Sequence, residues 1–262
     1  MVKLKNYIVV FKHFVIFLTI FIFLSCQHQR YYITKIEAKK ISLSEKDIQN
    51  PDIEQFIKPY REHINKDLSE ILAYNPENLD KKDGDWQTAI GCLLADITFE
   101  KGNKVFLSRE NKPIDMCLLN HGGIRSNLPQ GNITSKNAFQ LMPFENALYI
   151  VALKGEQILE MTQYLIAEKK PHPLSGMTFT IDKNNQAKNI EIQGKPLDTN
   201  KIYFVATSDY LSGGGDSMEF FKKSTTKYDM NYKLRNIVID YLKEVDTIKV
   251  TKNKRIIKEN TM

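Results

Sequence analysis

Residues 118–134, LLNHGGIRSNLPQGNIT, break an apolar run with Asn120, His121, Gly122 and Gly123, then add Arg125 and Gly131. A chain with five histidines and twelve glycines places one histidine and three glycines in this segment. Two readings compete. Asn120-His121 is the polar pair of a metal-dependent hydrolase site, or Gly122 and Gly123 turn the backbone so that Asn120 and Arg125 face a ligand. A two-metal site needs several carboxylates and histidines at ligand spacing. The histidines are His13, His28, His63, His121 and His172, and no DxH, HxH or GNHD/E occurs. The glycine turn is the better reading, with no catalytic residue and no metal ligand in this chain.

A second segment has the same design. Residues 202–207, IYFVAT, read as a buried strand that breaks at SDYLSGGGDS, just as IDMCLL (114–119) precedes NHGGIR. Glycine permits positive φ and close approach of a ligand to the main chain. Asn120 and Arg125 in the first loop, and Asp216 in the second, can contact that ligand. Neither loop is a phosphate loop of the GxxxxGK[ST] type, because no lysine follows the glycines.

Outward from these loops, Ile53, Phe56, Ile57, Tyr60, Ile64, Leu68, Ile71 and Leu72 recur at three- and four-residue steps, which predicts an amphipathic helix. A second helix is expected from about Trp86 to Phe99, and a short one through Leu141 capped by Ser135. Strand ALYIVAL (147–153) precedes a helix at 155–168. Strands 177–182 and 188–193 flank a KNNQ hairpin, and a last helix covers 233–243. Strands and helices mix without strict βαβ alternation. The expected fold class is α+β, a mixed sheet with flanking helices, preceded by an N-terminal helix.

The N-terminus reads as export machinery. Lys3, Lys5 and Lys12 precede the apolar run 14–24, which suits a signal-peptide core. The run ends in Leu24-Ser25-Cys26, similar to a bacterial lipoprotein cleavage site with Cys26 as the lipidated residue; Phe23 departs from the usual aliphatic residue. The expected division is a signal peptide over 1–25, a tether and linker over 26–50, a domain over 51–250 and a basic tail over 251–262. The expected location is a bacterial membrane, on its periplasmic or cell-surface side, held by the lipid. Removing residues 1–25 takes three lysines from a formal net charge of +6, leaving +3. That balance gives no support to a nucleic-acid partner, and the basic KNKRIIKE segment reads as a solvated tail. Cys92 and Cys117 lack CxxC spacing and sit among apolar residues, as buried free thiols do.

The motifs NHGGIRSNLPQGNIT…QLMPFENALYIVALKGEQILEM and IYFVATSDYLSGGGDS resemble the C-terminal domain of the 5'-nucleotidase/UDP-sugar hydrolase family, over about residues 40–243. That resemblance implies a domain that grips the nucleoside part of a nucleotide, beside a separate metallophosphatase domain carrying two metal ions. It implies that Asn120, Gly122, Gly123 and Arg125 contact ligand, that Phe144 and Tyr210 sandwich the base, and that Asn146 meets the base edge. It implies also that Gly214 and Gly215 contact ligand from the second loop and that Asp216 takes the ribose hydroxyls. The side chains suit those tasks: aromatic faces stack on any base, and a carboxylate accepts from a diol. Where the family often has an arginine and a glutamate before the second helix, this chain has Trp86 and Gln87.

The expected function is the nucleotide- or nucleoside-binding half of a split 5'-nucleotidase, acting in nucleotide catabolism. It is inactive alone, with divalent metals supplied by a metallophosphatase partner chain and no cofactor of its own. The alternative is a stand-alone surface lipoprotein that captures nucleosides or nucleotides without hydrolysis.

Overall fold

The residues ALYIVALK form strand β4 (Ala147–Lys154), buried on both faces along most of its length. Such a strand needs cover on both sides, and the chain supplies it. In the computed structural model, which describes residues 2–24, 32–42, 44 and 50–259, two compact units are present, Met1–Pro51 and Asp52–Met262.

In the first unit, α1 (Val2–Leu24) is a single helix and residues 32–42 are irregular. Among the described residues, no helix is long and apolar enough to cross a membrane. Cys26 and the polar residues Gln27 to Arg30 lie outside the described residues.

In the second unit, β4 sits in a five-stranded sheet with β2 (Met116–Leu118), β5 (Leu174–Ser175), β9 (Ile202–Ser208) and β10 (Thr226–Lys233), in the order β10-β4-β9-β2-β5. β4 and β9 pair antiparallel from Leu148↔Ser208 to Lys154↔Ile202, whereas β2 runs parallel to β9. The sheet is therefore mixed, as expected. Strand direction has a consequence for function. The C-termini of β2 and β9 and the N-terminus of β4 meet at one edge, which brings residues 119–125, 142–146 and 209–217 together.

Side chains alternate between the two faces. Cys117, Leu148, Ile150 and Ala206 face α3 (Ala89–Glu110) and α7 (Leu234–Glu244), burying Leu93, Leu94, Phe106, Ile237 and Val238. Met116, Leu118, Val151, Leu153 and Val205 face α5 (Gly155–Glu168), burying Ile158, Met161 and Leu165. Trp86 packs at the border of this second cluster. Cys92 and Cys117 are buried free thiols. A smaller sheet, β11-β6-β7-β8, joins β6 (Met177–Ile181), β7 (Ala187–Ile192), β8 (Lys195–Pro196) and β11 (Ile256–Lys258).

Four expectations need correction. The first helix, α2 (Pro51–Leu68), ends before Ile71 and Leu72, which belong instead to β1 (Ile71–Asn75). β1 pairs antiparallel with β3 (Gly131–Thr134), and that long-range ladder buries Leu72 and Ala73. The apolar stripe of α2 is not covered: Ile53, Phe56, Tyr60 and Ile64 are all exposed. The second helix starts after Trp86, at Ala89, and continues past Phe99 to Glu110; its N-cap is Thr88, whose hydroxyl accepts from Gly91 N at 3.1 Å. Thr134, not Ser135, caps α4 (Ser135–Leu141) in a reciprocal bond pair with Asn137.

The fourth correction concerns the basic tail. Residues 255–258 are part of the domain. β11 pairs parallel with β6, and Arg255 is 8% exposed. Its guanidinium donates to Asp96 Oδ2 at 2.5 Å and to the carbonyl of Leu174. Gln87 Oε1 accepts from Arg255 N at 2.6 Å, so the departure before α3 has a structural use. Hydrogen bonds to charged groups are worth about 1.5–3 kcal/mol each, and removing one partner strands the other. Arg255→Ala is expected to cost on the order of 2–4 kcal/mol in urea denaturation; a loss below about 0.5 kcal/mol, typical of a surface change, contradicts a docked C-terminus.

Candidate functional site

The second glycine loop begins where β9 ends. Ser208 Oγ accepts from Leu211 N at 3.0 Å and starts one helical turn, α6 (Asp209–Ser212). Beyond it the backbone needs two of the three glycines. Gly214 has φ +86°, and a Cβ there would strike Lys222. At Gly215 a Cβ would lie 2.5 Å from the Tyr210 ring, so the ring rests on this position. Gly213 has no such demand and only ordinary contacts. Asp216 follows in the left-handed region at φ 52°, which aspartate tolerates better than most residues.

Asp216 is the meeting point of three segments. Asn120 Nδ2 donates to its Oδ2 at 2.7 Å, and the Tyr210 hydroxyl donates to its Oδ1 at 2.8 Å. From α5, the Tyr164 hydroxyl donates to the Asp216 carbonyl at 2.7 Å. In the first loop, a Cβ on Gly123 would lie 3.0 Å from Asn120 Oδ1, so the glycine leaves room for the asparagine side chain. Arg125 is anchored by its N–H to Leu141 O at 2.9 Å and reaches Gly122 O at 3.2 Å. Its guanidinium carbon stands 5.6 Å from the Phe144 ring centroid.

Arg235, from α7, shapes the loop that carries Phe144. It is 7% exposed, pairs with Glu145, and donates through Nη1 to the carbonyls of Met142 and Pro143 at 3.3 and 3.1 Å. Its guanidinium also lies 4.3 Å from the Phe139 ring. Next to it, Leu234 N donates to Asn146 O at 2.9 Å. The Asn146 side chain crosses to the other loop, donating to Asp209 Oδ1 at 2.8 Å.

These contacts frame one open cleft of about 420 Å³, lined by Asn120, Gly122, Gly123, Arg125, Phe144, Asn146, Tyr210 and Asp216. That is within the range of small-molecule sites. Eight of the ten expected ligand-contact residues line it. Gly214 and Gly215 do not; they shape the loop beneath Tyr210. Phe144 and Tyr210 are each 49% exposed, large aromatic surface left in a cleft with a carboxylate at its rim. Tyr164, Asp209 and Arg235 escaped the sequence reading because each acts on a residue more than fifty positions away or through another side chain.

His121 does not line the cleft. Its backbone N–H donates to Nδ1 of His172 at 3.2 Å. Burial pushes the pKa of His172 down to about 4, helped by His121 and Lys170 and opposed by Asp216 and Glu168. Burial, with Lys81 nearby, lowers His121 as well. Among the described residues, no group of three or more His, Cys, Asp or Glu is placed to hold a metal ion.

A family profile described as the 5'-nucleotidase, C-terminal domain matches residues 71–223. Among curated proteins, the chain is 24% identical to the trifunctional nucleotide phosphoesterase YfkN of Bacillus subtilis over 78% of its own length and 15% of that protein. It is 29% identical to protein UshA of Yersinia enterocolitica, over 60% of its own length and 31% of that protein. Among solved structures, the 5'-nucleotidase precursor of Thermus thermophilus superposes with a TM-score of 0.68 at 21% identity, covering 80% of this chain and 43% of that one. The NAD nucleotidase of Haemophilus influenzae gives 0.59 at 17% identity, covering 82% and 42%. The chain thus spans less than half the length of each of these relatives.

The buried His172 predicts a pH dependence. Its pKa falls from 6.5 to about 4 on folding, so the unfolded chain binds the proton more readily. The contribution is complete above pH 6.5 and is lost as pH drops toward 4. Between pH 7 and 4.5 this group should remove on the order of 2 kcal/mol of stability in urea denaturation. His172→Gln should flatten that part of the profile; an unchanged profile would contradict a neutral buried imidazole.

Proposed function

Because the chain belongs to the 5'-nucleotidase C-terminal domain family, we propose that it is the nucleotide-binding half of a split 5'-nucleotidase, working with a separate metallophosphatase chain in nucleotide hydrolysis. The observation that carries this reading is the cleft in which half-exposed Phe144 and Tyr210 accompany the Asp216 carboxylate.

In this reading the base enters between Phe144 and Tyr210. Arg125, now against the Phe144 ring, moves toward the phosphate-bearing end, where its planar fork suits phosphate oxygens. Asp216 accepts from the ribose hydroxyls. Asn120 and Tyr210 each bond one of its oxygens, so the carboxylate is already aimed before ligand arrives, and each oxygen keeps a lone pair. This chain binds and orients; the divalent metal ions that polarise the phosphate belong to the partner. The Leu24-Ser25-Cys26 motif supports an exported lipoprotein held on a bacterial membrane through Cys26, facing the periplasm or the cell surface.

Two measurements test the proposal. Phe144→Ala and Tyr210→Ala should each weaken adenosine binding to the full-length chain in detergent by about 1–3 kcal/mol by calorimetry, whereas Phe144→Tyr should be tolerated. Unchanged affinity in both alanine variants removes the clamp. Hydrolysis of a nucleotide panel should require the metallophosphatase chain and divalent metal together, and this chain should raise the partner's kcat/KM. Binding without any such gain favours a stand-alone nucleoside-binding lipoprotein.

A further inference from the structure

We infer that α2 pairs antiparallel with α2 of a second copy of this chain, each laying the first half of its apolar stripe into the groove at the base of the other. The pairing does not depend on what the cleft binds.

Ile53, Phe56, Tyr60 and Ile64 follow one another at steps of three and four, so they share one face of α2, and each is more than half exposed. Among the described residues, nothing buries any side chain of this helix. Most of a helix's stability in a folded protein comes from packing its apolar face, so α2 lacks its main support within one copy. The stripe runs into a groove of about 970 Å³ where α2 meets α4 and α7. Ile64 and Leu68 of α2, Phe139 of α4, Pro143 and Ile239 of α7 line it. Helix and groove form one continuous apolar surface, of the kind that marks an interaction site.

Shape, size and charge point to a second copy as the occupant. Overlaying two stripes antiparallel sets Ile53 of each copy beside Ile64 of the other. The outer end of each stripe then covers the other copy's groove, and the exchange closes under one two-fold axis. A stable interface buries about 800 Å² per partner. Phe56 and Tyr60 each offer on the order of 100 Å², and every copy contributes both a stripe and a groove. The first turn of α2 carries Asp52 and Glu54, its last turn Lys66, and the groove rim Lys136 and Lys243. An antiparallel pair brings the acidic end to the basic one; a parallel pair stacks like on like. Asp67 and Glu70, also at the rim, lie 3.5 Å from His63 and 3.6 Å from Lys243 in their own chain, and Glu54 bonds Arg61 at 2.9 Å. The charges therefore orient the pair more than they hold it. A lipid surface fits less well. Against Lys58, Arg61 and Lys66 the helix sets Asp52, Glu54, Glu62 and Asp67, not the basic face of a membrane-lying helix.

The test is sedimentation equilibrium of the full-length chain in density-matched detergent. Wild type should dimerise at micromolar concentration. Phe56→Glu/Tyr60→Glu should weaken the dimer at least about tenfold, since exposed aromatics at the centre of an interface carry much of its energy. Near-UV circular dichroism should stay native, because neither side chain is buried in its own chain. Direction is read by disulfide trapping: a mixture of Ile53→Cys and Ile64→Cys chains should cross-link, and Ile53→Cys alone should not. A monomeric wild type would overturn the inference, as would a dimer that the double glutamate variant leaves intact. Cross-linking of Ile53→Cys with itself and not with Ile64→Cys would overturn the antiparallel pairing. A monomer whose α2 instead binds lipid vesicles or the metallophosphatase chain, and loses that binding in the glutamate variant, would give the stripe to another partner and overturn the inference.

Discussion

The Asp216 carboxylate holds the site together. It takes a hydrogen bond from Asn120 on one oxygen and from Tyr210 on the other, and its own carbonyl is held by Tyr164. These bonds tie the two glycine loops to each other and to α5. They form only because the chain omits side chains where it must. A Cβ on Gly215 would occupy the space of the Tyr210 ring, and one on Gly123 would crowd Asn120. The glycines that first drew notice in the sequence therefore serve close packing around a carboxylate. A cleft built this way is held in shape by its own contacts, and such preorganisation lowers the ordering cost of any association there.

The sheet explains why those loops can meet at all. Loops at the C-termini of two parallel neighbours, β2 and β9, necessarily share an edge, and antiparallel β4 contributes its N-terminal loop to that same edge. Arg235 then fastens the third loop to α7 by bonding its carbonyls. Rigid strands and one buried guanidinium thus fix residues that lie on exposed loops. Catalytic and binding residues are commonly carried on loops positioned by such a scaffold.

Much of this was legible in the sequence because it is written locally. The apolar run of β4 followed by a helix at 155–168, the KNNQ hairpin and the two strand-to-glycine breaks all declare themselves within a dozen residues. The residues that line the cleft were legible for the same reason, since each falls in one of three short motifs. What was not legible depends on distant partners. Ile71 and Leu72 continue a helical period in sequence, yet the pairing of Ile71 with Thr134 and of Ala73 with Ile133 pulls both into a strand. Arg255 and Ile256 look like a solvated basic tail until Asp96 and β6 are brought beside them. Asp209 lies within the SDYLSGGGDS loop and Arg235 in none of the motifs, yet neither role shows in the sequence, because it lies in the side chain or loop each one holds.

The most direct test of the account is a comparison of adenosine with 2'-deoxyadenosine on the wild-type chain and on Asp216→Ala, by calorimetry under one condition. The variant loosens the loops for both ligands, and that loss cancels in the ratio of the two affinities. If Asp216 takes the ribose hydroxyls, wild type should favour adenosine by about 1.5–3 kcal/mol, the value of a charge-assisted hydrogen bond, and the variant should lose most of that preference. A preference for adenosine that survives intact in Asp216→Ala would contradict the account.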